Sequence, residues 1–285
     1  MFSIVIPTYN RPEALKRTVH SILDLDIQDE FEIIIINDCP GCVTGDFGDE
    51  RVKVVNNGQN LGRSKSRNRG AAVVKHPVLF FIDDDIEVKE NMFEKHLTDL
   101  ENGADAVFSN VVNVRTDGKY SFLNEFLNTR GANRSGSGHE VRSNYFTTAF
   151  CSIKKPFFDR IGKFDENFEG YGWEDPELGL RIAASGGSLS FVRTKNLLHY
   201  HDKDVFEWLE QIENSGKNLR YLIQKHAGFK RMIKYNILTS ALGAAVFNPF
   251  FVWSERLKAK SSRGFFGRIN HSYLFYAAIR KSLIK

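Results

Sequence analysis

Within the first 85 residues, four short apolar runs alternate with helical segments, and this alternation constrains the fold more than any other feature of the chain. Ile4-Val5-Ile6, Phe31 to Ile36, Val52 to Val55 and Val78 to Ile82 are too short for helices and rich in β-branched or aromatic residues, so they read as strands. Pro12 sits near the first turn of a helix in which Leu15, Val19, Ile22 and Leu23 recur at helical spacing, and Ser64 to Val74 reads as a second helix. Strands and helices joined by short connections predict an α/β fold with a doubly wound, mostly parallel central sheet and helices on both faces. Ligands of such sheets bind beyond the carboxyl ends of the strands. The polar residues that follow the apolar runs are therefore candidates by position: Pro7, Thr8, Tyr9, Asn10 and Arg11 after the first, Asn37 and Asp38 after the second, and Asp83, Asp84 and Asp85 after the fourth.

Three adjacent carboxylates repel one another, and a hard divalent cation with oxygen ligands is the simplest relief. The plainer alternative is a solvated acidic turn that caps the next helix. Further along, Met92 to Leu100 reads as a helix, and Ala106 to Phe108 and Val111 to Val114 as strands. Gly131 to Ser143 is a polar, Gly/Ser-rich stretch whose length inside a domain marks it as a candidate lid. Phe146 to Ile153 reads as a strand and Phe157 to Ile161 as a short helix. Pro176 suits the first turn of a helix running to about Ser185, which places Glu174 and Asp175 at its amino end. Strand-like Leu189 to Val192 and Leu197-Leu198 lead to His199-Tyr200-His201.

Hydrophobic residues at 42% and charged residues at 26% exclude a disordered or polytopic membrane chain. The three cysteines, Cys39, Cys42 and Cys151, are too few for a disulfide framework and favour a reducing compartment, and Cys39-Pro40-Gly41-Cys42 lacks the second pair of a zinc site. The first seven residues have no basic n-region and are expected to form a strand, not a signal peptide. A phosphate-binding GxxxxGK[ST] loop is missing, which removes P-loop kinases.

The net charge of +4 is unevenly spread: residues 226–285 hold eleven Lys and Arg against Glu255 alone, +10, leaving −6 on the rest. Phe206 to His226 reads as one helix with Phe206, Leu209, Ile212, Leu219 and Leu222 on one side. The uncharged run 237–253 has 17 residues, the lower limit for a bilayer span, and Asn248-Pro249 interrupts it. With basic flanks and terminal aromatics it is expected to lie as a helix pair in an anionic membrane surface; a soluble appendage or oligomer contact is the alternative. No nucleic-acid-binding motif accompanies the basic tail, so nucleic acid is not an expected partner.

VIPTYNR, the strand end IIIIND, NLGRSKSRNRG, FIDDDI and FDENFEGYGWEDPELGLR occur in an order and spacing that resemble family 2 glycosyltransferases of the GT-A fold, over roughly residues 2–205. Asn37 departs from the pattern, where the family commonly has Asp. The resemblance implies an inverting, metal-dependent transferase using a nucleotide-sugar, of the UDP type, and a glycan or lipid-linked acceptor at the cytoplasmic face of a membrane. It implies that Pro7, Thr8, Tyr9, Arg11, Asp38, Arg67, Asp83 and Asp84 line the nucleotide-sugar, with Asp84 mainly a spacer pointing away. Asp85 would bind Mn2+ or Mg2+, with Asp83 and either His199 or His201 completing the metal site. Asp175 would be the general base, Glu174 would orient the acceptor, and Trp173 would offer the sugar a stacking face. The implied division is a glycosyltransferase domain at 1–205, with a nucleotide half at 1–105 and an acceptor half at 106–205, followed by a basic amphipathic helical region at 206–285. A sugar nucleotidyltransferase and a non-catalytic, membrane-associated glycan-binding protein are the alternatives.

Overall fold

A computed structural model describes residues 1–119, 121–135, 141–259, 261 and 263–284. The described strands are β1 (Phe2–Thr8), β2 (Phe31–Asn37), β3 (Val52–Asn56), β4 (Val78–Ile82), β5 (Ile86–Val88), β6 (Ala106–Ser109), β7 (Val112–Val114), β8 (Phe150–Lys154), β9 (Leu189–Val192) and β10 (Leu197–Tyr200). The helices are α1 (Pro12–Leu23), α2 (Arg63–Val73), α3 (Phe93–Glu101), α4 (Phe122–Leu127), α5 (Lys155–Arg160), α6 (Glu174–Ala184), α7 (Val205–Asn214), α8 (Gly216–Lys225), α9 (Phe229–Met232), α10 (Tyr235–Thr239), α11 (Ala241–Val246), α12 (Pro249–Ala259) and α13 (Gly264–Ile284). They fall into two units: residues 1–114, 128–169 and 174–200, and residues 115–127, 170–173 and 201–285.

In the first unit a seven-stranded sheet runs β3-β2-β1-β4-β8-β6-β9. All neighbours pair in parallel except β8, which is antiparallel to both β4 and β6. Alternate residues serve opposite faces, as the two-residue period of a strand requires. Ile4 and Ile6 pack with Leu15, Val19 and Ile22 of α1, whereas Val5 packs with Ala71 of α2 and with Leu178 and Ile182 of α6. A second, three-stranded sheet, β5-β10-β7, carries His199.

The doubly wound sheet is as expected, and β6, β8 and β9 continue the sheet begun by β1 to β4. The expected strand at Phe146 starts only at Phe150. Residues 146–149 instead approach the sheet edge as irregular chain, and Asp83 N–H donates to the Ala149 carbonyl at 3.2 Å. Of the candidate lid, Gly131–Arg134 form a 3-10 turn, and residues 136–140 lie outside the described residues.

Two glycines let helices approach closely. A Cβ on Gly70 would stand 2.3 Å from Val5 Cγ1, and one on Gly179 would stand 2.0 Å from the Ser143 carbonyl oxygen. The second obstacle is backbone, which cannot swing aside, so Gly179→Ala is expected to shift α6 and cost about 1–3 kcal/mol. Chemical denaturation would check this; wild-type stability in the variant would show that α6 has slack here.

The second unit is helical. Trp208 stacks on Phe275 with centroids 5.8 Å apart and meets Phe126 edge-on at 5.9 Å, so α4 is built into this unit together with α7 and α13. The helix expected over Phe206 to His226 is broken at Ser215 into α7 and α8. Gly216 then lies against α13 so closely that a Cβ would be 2.6 Å from the Ser282 carbonyl oxygen. The run 237–253 is divided among α10, α11 and α12, with breaks at Ser240 and Asn248, rather than forming one helix pair. Both break residues act as caps: Ser240 Oγ accepts from Gly243 N–H at 3.2 Å and Asn248 Oδ1 from Phe251 N–H at 3.1 Å. Among the described residues no helix is long and apolar enough to cross a membrane.

Candidate active site

The carboxyl edge of the sheet collects the polar strand ends. Register places Thr8 beside Asn37, and β1 also pairs with β4, so Thr8 meets the acidic triplet directly. Thr8 Oγ1 donates to Asp84 Oδ2 at 2.7 Å. Arg11 Nη1 bridges Asp84 Oδ1 at 3.0 Å and Asp85 Oδ2 at 2.8 Å. Asp84 is therefore not a spacer turned away. It is buried and ties the end of β1 to the triplet, and burial raises its carboxyl to about 6 despite the nearby Arg11 guanidinium.

Asp85 behaves differently because it has a second cationic partner. His199 Nε2 lies 3.2 Å from Asp85 Oδ1, while His199 Nδ1 lies 3.0 Å from Asn113 Oδ1. Burial works against the charge of Asp85, yet His199 and then Arg11 outweigh it and hold the carboxyl well below its usual range. The same contact raises His199 against the opposing effect of burial. An imidazole is oriented by the partner of its other nitrogen. Because the Asn113 amide oxygen can only accept, Nδ1 carries its proton toward Asn113 and Nε2 faces Asp85.

Arg67 is the centre of a second cluster. It is 2% exposed, on α2, a helix that buries Ser64, Ser66 and Asn68 besides. Arg67 Nη2 donates to Asp83 Oδ1 at 2.9 Å, and Nη1 donates to Glu174 Oε1 at 3.2 Å and lies 3.6 Å from Asp175 Oδ1. Burial opposes the guanidinium charge, but Asp175, Asp83 and Glu174 together raise its pKa. Arg67 thus joins the triplet to the amino end of α6. Glu174 is 5% exposed and faces Arg67, so it positions that cation.

Asp175 keeps about a fifth of its side chain exposed. Thr148 N–H donates to its Oδ2 at 2.9 Å and Thr148 Oγ1 to its Oδ1 at 2.7 Å. Burial raises the Asp175 carboxyl to about 6; Arg67 works against that rise, and Glu174 and Asp83 add to it. The antiparallel course of β8 explains the threonines: its incoming end lies at the edge where its parallel neighbours finish, so the residues just before it reach the site. Thr148 and Asn113 were not among the residues expected from the sequence. A Thr pair before an apolar strand and an Asn in a short strand are common local patterns, so neither carried a signal.

Asp38 is buried, with Oδ1 accepting from Asn57 Nδ2 and Leu61 N–H at 2.7 Å each and Oδ2 from Gly62 N–H at 2.8 Å. It ties down the loop that leads into α2. Asn37 does similar work, donating to the Cys42 carbonyl at 3.0 Å and to Asn56 Oδ1 at 2.9 Å. Cys39 and Cys42 are joined as a disulfide in the turn after Asp38. Pro7 is partly buried within β1, and Tyr9 is exposed beside it.

The metal-site expectation narrows. Among the described residues, no group of three or more His, Cys, Asp and Glu is arranged to hold an ion. Asp83 faces Arg67, and His201 belongs to the second unit, where its carbonyl accepts from Asn124 Nδ2 at 3.1 Å. Asp85 and His199 are left as the pair. Their chemistry, one carboxylate and one imidazole 3.2 Å apart, is that of a donor pair that could hold a divalent ion. Trp173 also belongs to the second unit; its indole N–H donates to Ser215 Oγ at 2.8 Å and its ring meets Phe229 edge-on at 6.0 Å. These contacts give Trp173 a packing role.

The description "Glycosyl transferase family 2" matches residues 3–162, more than half of the chain. The chain belongs to glycosyl transferase family 2. Residues 132–203 also match "N-terminal domain of galactosyltransferase". Among curated relatives of this family 2 chain, polypeptide N-acetylgalactosaminyltransferase 4 of Caenorhabditis elegans is 26% identical over 226 residues, covering 70% of this chain and 38% of that protein. Human polypeptide N-acetylgalactosaminyltransferase 16 is 25% identical over 231 residues, covering 70% and 40%. The chain thus spans about two fifths of the length of these relatives. Two solved structures share the GT-A fold. GalNAc-T7 with UDP, GalNAc and Mn2+ superposes with a TM-score of 0.56 at 22% identity, covering 72% of this chain and 44% of that one. Staphylococcus aureus TarS 1-349 has a TM-score of 0.56 at 15% identity, covering 99% and 89%. Family 2 membership makes the chain a glycosyltransferase and sets aside the sugar nucleotidyltransferase alternative.

Proposed function

We propose that this family 2 glycosyltransferase transfers a sugar from a nucleotide-sugar, of the UDP type, to a hydroxyl of a glycan or lipid-linked acceptor, with inversion and with a divalent metal. The observation that carries the reading is the pair of acidic stations at one sheet edge. Asp85 is paired with His199, and Asp175 is held apart from it by Arg67 and Asp83. One station suits a departing diphosphate and the other an incoming hydroxyl. The names of the relatives and the UDP and Mn2+ of the GalNAc-T7 structure support a nucleotide-sugar donor and a metal.

Asp85 and His199 would hold Mn2+ or Mg2+, a mixed carboxylate and imidazole pair that favours Mn2+. When bound, the ion would act as a Lewis acid on the diphosphate leaving group. Asn113 fixes the ring of His199, and Arg11, already on Asp84 and Asp85, is placed to meet the same phosphates. Asp83 has side-chain surface left for the donor ribose beyond its bond to Arg67. Thr8 and Tyr9 flank the nucleotide at the end of β1, and Asp38 shapes the loop beneath it. Asp175 takes the acceptor proton. A carboxylate with a pKa of about 6 is ionised at neutral pH yet more basic than an ordinary Asp, which suits a general base.

Calorimetric titration with a panel of nucleotide-sugars, with and without Mn2+, tests the donor half of this reading. One UDP-sugar is expected to bind in a Mn2+-dependent way, and Asp85→Ala to weaken that binding by more than tenfold. Failure of every nucleotide-sugar to bind in the presence of Mn2+ or Mg2+ would remove the proposed donor chemistry. Inverted anomeric configuration in the product is the expected stereochemical outcome; retention would displace Asp175 from the role of base.

A further inference from the structure

The helical second unit contains a cavity of about 610 Å3. This is within the range of roughly 300–1,000 Å3 typical of small-molecule pockets. Its body is apolar, lined by Phe247, Pro249, Val252, Trp253, Leu274 and Ala278. Its polar part is cationic: Arg256, Arg280 and Lys281 against the single carboxylate of Glu213. Glu213 accepts from Arg256 Nη2 at 2.9 Å and is also paired with Lys281. That leaves cationic charge in excess. Arg280 Nη1 and Arg256 Nε are buried with no hydrogen-bond partner among the described residues. Arginine forks in excess over carboxylate at the wall of an apolar cavity favour an anionic oxygen ligand.

A second observation concerns the surface of the same unit. Phe250, Phe251 and Leu257 of α12 and Phe265 and Phe266 of α13 are all more than half exposed, and Trp253 is 57% exposed although it also lines the cavity. These side chains belong to the segment that carries the +10 charge of residues 226–285. Large exposed apolar side chains set among Lys and Arg are the signature of a helix that lies in an anionic lipid surface. A protein partner would instead favour a charge-depleted patch.

The geometry points to an anionic membrane phospholipid as the occupant: an acyl chain in the cavity and its phosphate on Arg256 and Arg280, with Phe250, Phe251 and Trp253 entering the bilayer surface. The unit thereby acts as a lipid-reading anchor. The inference does not depend on the donor chemistry of the first unit, because neither these residues nor their ligand take part in it.

Flotation of the full chain with phosphatidylcholine vesicles, with and without phosphatidylglycerol, tests the anchor. Binding is expected only when phosphatidylglycerol is present, and to weaken with salt. The double variant Arg256→Gln, Arg280→Gln should lower the affinity roughly tenfold or more. Bromine on the lipid chains should quench the wild-type tryptophan fluorescence, and Trp253→Phe should abolish that quenching while Trp173 and Trp208 still emit. Should the double variant fail to fold, short-chain phosphatidylglycerol added to wild type is expected to change Trp253 emission, with inorganic phosphate and short-chain phosphatidylcholine inert. Equal binding to neutral vesicles, wild-type flotation by a folded double variant, or an equal response to inorganic phosphate would each overturn the assignment. So would a dimer in light scattering that fails to float, since a second copy would then cover this face.

Discussion

Asp175→Asn is expected to fold, to bind nucleotide-sugar with Mn2+ as wild type does, and to lose transfer by roughly 10²–10⁴-fold, the usual contribution of a general base. The amide keeps the shape, and its oxygen can still accept from Thr148 N–H, but it cannot take a proton. The pH dependence has a defined sign. Asp175 must be ionised to act, so wild-type transfer should fall about tenfold per unit as pH drops below about 6. Stability should move the other way. The folded-state pKa is raised from 3.8 to about 6, so the folded protein holds this proton more tightly than the unfolded chain does, and the residue's contribution to stability declines as pH rises through that window. Asp175→Asn escapes that decline and should be at least as stable as wild type at pH 7. Equal loss of donor binding and transfer in this variant would move the base elsewhere.

Arg67→Met is expected to be the most damaging single change, lowering stability by about 3–5 kcal/mol at pH 7. It removes the cation shared by Asp83, Glu174 and Asp175 while leaving the three carboxylates in place. The loss should shrink at pH 5, where protonation of Asp175 relieves part of the repulsion. Denaturant titrations of both proteins at the two pH values decide the matter: an equal loss at both would mean that Arg67 matters for packing alone. Any folded fraction of the variant should also show the acid limb of its transfer profile displaced to higher pH, because the carboxylate has lost its cationic neighbour.

The strands were legible because each is a short apolar run with polar residues at its end, and those ends mark the active edge. Residues such as Asp83, Asp85 and Asp175 stand out for the same reason: charges adjoining buried runs have few structural explanations. Side-chain pairing was not legible. Asp84 and Asp85 are identical neighbours, yet one is raised and the other lowered, because only Asp85 meets His199. Asp83 and Glu174 are 91 positions apart and share one guanidinium. Trp173 precedes Glu174 directly but belongs to a different unit. Pattern also failed where local chemistry overrode it. The helical period broke at Ser215, beside the close contact of Gly216 with α13, and Ser240 and Asn248 capped new helices inside an apolar run.

Hydrophobic periodicity is a local property, so the sequence by itself determined the doubly wound sheet, the edge that carries the chemistry and the basic character of the helical end. Which carboxylate meets which cation depends on strand order and on the antiparallel turn of β8, contacts between residues far apart in the chain. Only the tertiary structure therefore decided that Arg67 is the hub, that His199 rather than His201 faces Asp85, and that the apolar run near the carboxyl end encloses a cavity with cations at its polar part.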